Sequence, residues 1–194
     1  MRSSDYRRLG IMIAVATMPI VVIGYIVDYA EWRLLRSLTT LAWANLIFAG
    51  LLWATDSFGS SIYKLTDMRW SAAIGIGLMQ IFALIPGASR SGVTISAARF
   101  FGYDRITAAR FSLLLSLPAI AGAGFLKAAQ LIKISDVQLG VDILLVTVLS
   151  ALSALLAIRL MMSWLNKSNF NIFVFYRMAL GMVLLLAINQ GWIR

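Results

Sequence analysis

Apolar runs alternate with short polar stretches along almost the whole chain. Leu9–Val27, Leu38–Ala54 and Phe111–Leu126 carry no charge, and Leu139–Ile158 and Ile172–Ile188 are interrupted only by Asp142 and Arg177. About 20 such residues in a helix cross the hydrocarbon core of a bilayer, so the pattern predicts five crossings. Pro19 and Gly24 in the first run, and Pro118, Gly122 and Gly124 in the third, are tolerated in membrane helices. Small residues there also let helices pack closely. The first run lacks the small-residue cleavage site of a secretory leader and is followed by further spans, so it reads as a span. The polar connections are Asp28–Ser37, Thr55–Arg69, Gly102–Arg110, Lys127–Gln138 and Arg159–Asn171. Trp32 in the first suits headgroup level, and Thr107 suits the cap of the following helix. Two further apolar runs, Ser71–Ile85 and Val93–Phe101, are short for a crossing. They predict a re-entrant helix–loop–helix hairpin whose tip is Pro86-Gly87-Ala88-Ser89-Arg90-Ser91-Gly92.

Composition sharpens this into an all-α, polytopic membrane bundle forming one domain over residues 1–194. The chain is 61% hydrophobic and 13% charged, against about 25% charged for a soluble domain. Its 17 Lys+Arg outnumber 8 Asp+Glu, a net charge of +9. These basic residues are scattered between apolar runs with no basic, aromatic-interleaved face, which argues against nucleic acid and for anionic headgroups as their partners. The loop charges are too evenly shared to assign an orientation. The chain has no cysteine and no histidine, which excludes disulfides, thiolate metal sites and every histidine-based mechanism. Glu31 is the only glutamate. Chemistry must therefore use Ser, Thr, Asp, Arg, Lys or Tyr.

The hairpin tip is where those residue types converge. Backbone that leaves helical form at membrane depth must be buried in protein or line a polar cavity, and an arginine there marks a functional site by default. A phosphate group needs converging hydrogen-bond donors and positive charge. Gly87 and Gly92 let backbone N–H groups approach, and the helix that follows presents unpaired N–H groups with a favourable dipole. Ser89 and Ser91 add hydroxyls, and Arg90 offers a planar fork for bidentate recognition. The bland alternative is a Pro-, Gly- and Ser-rich turn between helices, which leaves the arginine unexplained. Arg99 lies about two and a half helical turns beyond Arg90, on a side it can share, and Arg110 adjoins an apolar run. Arg99 and Arg110 are candidates for substrate contact, with Arg177 a weaker one, since snorkelling to headgroups accounts for these positions as well. The methionines, Phe173, Phe175 and Tyr176 read as packing or interface residues. The Q-x-x-x-L-I-P-G-x-S-R-S-G pattern occurs once, at Gln80–Gly92, so no internal repeat is present.

QIFALIPGASRSG at Gln80–Gly92 and RFSLLLSLPAI at Arg110–Ile120 resemble the bacterial undecaprenyl-diphosphate phosphatases, the bacitracin-resistance BacA type. Tyr176–Gly181 and the Ala16-Thr17-Met18-Pro19 part of Arg8–Gly24 fit the same family, and the likeness runs through essentially the whole chain. The resemblance implies a multi-pass enzyme of the bacterial inner membrane. Such enzymes hydrolyse undecaprenyl diphosphate to the monophosphate in lipid-carrier recycling for peptidoglycan synthesis and cell shape, and confer bacitracin resistance. It implies that Ser89, Arg90 and Ser91 hold the diphosphate, that a divalent cation such as Mg²⁺ takes part, and it leaves a homodimer open.

Family members also carry an earlier region with a glutamate-rich motif and a serine-and-histidine stretch, forming a second re-entrant loop related to this one by an inverted repeat. This chain corresponds to the last two-thirds to three-quarters of such a protein. The expectation is therefore a truncated or mis-started phosphatase, inactive or very weak alone. The alternative is a short paralogue that binds or translocates polyprenyl phosphate without hydrolysing it. The histidine-dependent lipid phosphatases of the phosphatidic-acid type are excluded, since their signature needs histidines.

Overall fold

The computed structural model describes residues 3–29, 37–131 and 137–193. Among these described residues seven α-helices follow one another: α1 (Ser3–Tyr29), α2 (Leu38–Phe58), α3 (Trp70–Met79), α4 (Arg90–Phe100), α5 (Arg105–Leu131), α6 (Val137–Leu165) and α7 (Asn171–Asn189). No β-strand is present among the described residues. Short 3₁₀ turns at Leu65–Asp67 and Gln80–Leu84 flank α3.

Among the described residues four stretches are long and apolar enough to cross a membrane: Asp5–Val27, Leu38–Phe58, Leu145–Leu165 and Asn171–Asn189. They correspond to four of the five predicted crossings. The fifth falls on α5, which runs as continuous helix through Pro118. The polar connections shrink relative to the sequence reading. α2 reaches Phe58, α5 begins at Arg105, and α6 reaches Leu165, so Asp56 and Arg159 are helical. The cap of α5 is Asp104, whose Oδ1 accepts from the Thr107 backbone N–H at 2.6 Å; Thr107 itself is within the helix. Trp32, Lys133 and Asp136 lie outside the described residues.

α4 sits at the centre, packed against α2, α3 and α5 and against the Gln80–Leu84 turn, while α2 also packs along α7 and α1 along α3. Every residue from Gly92 to Arg99 is buried. That burial would be costly for a helix carrying Thr94, Ser96 and Arg99 unless each polar group had a partner. Each has one. The hydroxyls of Thr94 and Ser112 on α5 share a hydrogen bond of 2.7 Å, and Ser96 donates to the Gly92 carbonyl at 2.8 Å. Arg99 is 1% exposed and spends its guanidinium on Asp56 and nearby carbonyls. Its Nε reaches Asp56 Oδ1 at 3.0 Å, Nη2 reaches the Asp56 and Gly59 carbonyls, and Nη1 reaches Ser60 O, Ser61 Oγ and Tyr103 O. Arg105 Nε also meets Asp56 Oδ1, at 2.8 Å, and the Phe170 N–H at the head of α7 donates to Asp56 Oδ2 at 3.2 Å. One carboxylate thus ties α2, α4, α5 and α7 together at one end of α4, and the Pro86–Gly92 loop lies at the other.

Candidate functional site

The loop is built by two departures from ordinary backbone. The Ala88 N–H donates to the Ile85 carbonyl at 3.1 Å, closing a four-residue turn. Pro86 occupies its second position and Gly87, at φ +91°, its third, the residue types a type II turn requires. A Cβ on Gly87 would sit 2.2 Å from the Leu41 carbonyl oxygen of α2, so glycine is needed for space as well as for φ. Ser89 then takes φ +62°. A non-glycine residue there is strained by about 1–3 kcal/mol, and such strain concentrates at functional sites. In exchange Ser89 caps α4. Its Oγ accepts from the Gly92 N–H at 3.3 Å, and its carbonyl receives the first helical bond from Val93. The Arg90 and Ser91 N–H groups open the helix with no intrahelical partner.

Ser89, Ser91 and Gly92 form one wall of a cavity of about 410 Å³. The opposite walls come from Asn45 and Leu52 on α2, Met161 on α6, and Phe173, Tyr176 and Arg177 on α7. Arg177 is 8% exposed. Its Nε donates to Asn45 Oδ1 at 2.8 Å, and Asn45 Nδ2 donates back to the Arg177 carbonyl at 3.1 Å. Its Nη2 donates to the Gly87 and Ala88 carbonyls at 2.7 and 3.0 Å. Nη1 is buried with no hydrogen-bond partner. A Cβ on Gly92 would lie 2.6 Å from that nitrogen, so the second loop glycine makes room for the guanidinium.

The structure thus brings together five of the residues singled out in the sequence, Arg177 among them. Ser89, Ser91 and Gly92 line the cavity, and Gly87 supplies a carbonyl to Arg177. Arg90 does not line this cavity, although its Nη2 is likewise buried and unpartnered. Arg99 and Arg110 are not part of the arrangement. Nine positions along α4 carry Arg99 about 13 Å from the loop, where its donors are all engaged. Arg110 is exposed on α5. Sequence reasoning undervalued Arg177 and missed Asn45. Each is a polar residue inside an apolar run, the pattern that marks function within a membrane, but only packing of α2 on α7 reveals that they meet.

No acidic residue lines the cavity, and among the described residues no three His, Cys, Asp or Glu side chains come together to hold a metal ion. Asp56, the buried acid, has both oxygens committed to Arg99, Arg105 and Phe170. These residues do not fit the divalent cation that the resemblance implies. What they offer is a helix N-terminus, hydroxyls and unpaired guanidinium N–H groups, which is a receptor for an anion.

The family model described as bacitracin resistance protein BacA matches residues 1–183. An undecaprenyl-diphosphatase of Alcanivorax borkumensis is 45% identical over 187 residues, covering 95% of this chain and 69% of that protein. The undecaprenyl-diphosphatases of Desulforudis audaxviator and Ruegeria pomeroyi are 40% and 42% identical over 185 and 179 residues, covering 95% and 92% of this chain and 70% and 67% of theirs.

Proposed function

This chain belongs to the bacitracin resistance protein BacA family, and from that premise we propose that it acts on undecaprenyl diphosphate in the bacterial inner membrane, releasing phosphate and leaving the monophosphate carrier. The observation that carries the reading is the Pro86–Gly92 loop, whose serines and helix N-terminus face a cavity between membrane-crossing helices. The α4 N-terminus and the Ser89 and Ser91 hydroxyls hold the phosphate oxygens, and Arg90, between those serines but outside the cavity lining, neutralises their charge at longer range. Phosphoryl transfer depends on positioning, charge neutralisation and an activated nucleophile, and the cavity walls supply the first two. Turnover by this chain is accordingly slow. The same reading places it in carrier recycling for peptidoglycan synthesis and bacitracin resistance.

A second reading, binding or translocation of polyprenyl phosphate without hydrolysis, is favoured by the absence of an acid in the cavity lining. Phosphate release from undecaprenyl diphosphate by the purified chain, compared with Arg90→Ala, separates the two. Release that the substitution removes supports hydrolysis. Tight binding of the lipid with no release above the Arg90→Ala background supports the second reading.

A further inference from the structure

We propose that Arg177 is a second arginine of the anion site, gripping the ligand phosphate through Nη1 while its other edge holds the loop in shape. The inference rests on the reading of this cavity as a polyprenyl-diphosphate site, and it assigns α7 a direct part in that site.

The geometry divides the guanidinium cleanly. Nε is held by Asn45, Nη2 closes on two successive loop carbonyls, and Nη1 is left over, buried and unpaired. A buried donor without a partner costs free energy, and more when it is charged. The residue is retained at that cost within an apolar helix, beside the hydroxyls of Ser89 and Ser91 and the opening N–H groups of α4. All of these are donors converging on one cavity, and an anion satisfies them together. Because Nη2 grips the carbonyls of Gly87 and Ala88, the left-handed turn that aims Ser89 and α4 is fixed by the same side chain that meets the ligand.

The apolar walls say what kind of anion it is. Met161, Phe173 and Tyr176 also line an adjoining cavity of about 1050 Å³ that runs along α6 and α7 past Trp164 and Lys167. The polar end therefore adjoins an open, largely apolar groove. An amphiphile with a phosphorylated head and an isoprenoid tail matches both parts.

The test measures binding to the purified, detergent-solubilised chain with three probes: geranylgeranyl diphosphate, inorganic pyrophosphate and geranylgeraniol. Losing a hydrogen bond to a charged group changes affinity about ten- to hundredfold. Arg177→Gln is expected to weaken both diphosphates by that factor and to leave geranylgeraniol unchanged, a split that general unfolding does not produce. Arg177→Lys keeps the charge but cannot grip two carbonyls and the ligand at once, and it falls short in the same way. If Arg177→Gln does not fold, Gly92→Ala decides, because its Cβ displaces Nη1 while keeping the arginine. Unchanged diphosphate affinity in the folded variants overturns the inference, with Nη1 then a buried donor that serves no ligand. Equal loss for all three probes overturns it too, leaving Arg177 a packing residue. Arg177-dependent binding without phosphate release refutes hydrolysis and leaves the inference standing; release without Arg177 dependence does the reverse.

Discussion

Two residues set the terms at the smallest scale. Gly87 combines φ +91° with the Leu41 carbonyl 2.2 Å from where a Cβ would stand. Gly87→Ala should therefore destabilise the fold by about 1–3 kcal/mol and weaken diphosphate binding through a displaced loop. Unfolding in denaturing detergent and the binding titration report the two effects separately. Asp56 is the counterpart at the far end of α4. Asp56→Ala leaves Arg99 buried without its countercharge, and breaking such a pair costs about 3–5 kcal/mol, measurable by the same unfolding titration. Lys at position 99 would not substitute well for Arg99, since one ammonium cannot serve six oxygen acceptors fanned around a planar fork. The loop was legible from residue types alone, because two glycines, two hydroxyls and an arginine inside apolar surroundings have few other uses. Asp56 and Arg99 were not. In sequence one reads as a solvated loop acid and the other as a candidate ligand for substrate, and only tertiary burial pairs them.

Among the elements, the α2–α7 pair carries the most consequence for the site. Gly181 lies one turn beyond Arg177 on α7, and a Cβ there would meet Leu46 at 2.7 Å and the Ala42 carbonyl at 3.3 Å. Gly181→Leu should pry the two helices apart at a cost of about 1–3 kcal/mol and separate Asn45 from Arg177, so affinity for geranylgeranyl diphosphate falls along with stability. Gly181→Ala is the milder control. Hydropathy located the long helices to within a turn or two, since length and apolar content decide that property. It misjudged their ends at Phe58, Arg105 and Leu165 because helices continue past the apolar run, as where the buried Asp56–Arg99 pair supports α2 and the Asp104 cap starts α5. α4 shows the limit of pattern reading from the other side. Its mixed sequence has no periodic apolar stripe, and the burial of Gly92–Arg99 follows from neighbours that satisfy their hydroxyls and arginine.

Across the whole molecule, burial is uneven. In the Leu145–Leu165 stretch of α6 no residue before Leu165 is buried inside the protein, whereas Leu115 on α5 is fully enclosed. Leu115→Ala should cost about 2–5 kcal/mol, and Leu152→Ala, at 59% exposure, close to nothing in a detergent unfolding titration. α4 carries a consequence for biosynthesis. With an arginine near each end and little apolar surface, it has no affinity of its own for the bilayer. It settles against α2 and α3, which are made before it, and α2 brings Asp56. The loop is not locked until α7, made after α4, emerges with Arg177. A chain arrested before α7 would hold its earlier membrane helices and still lack a working anion receptor, so ligand binding should not appear until α7 has been made.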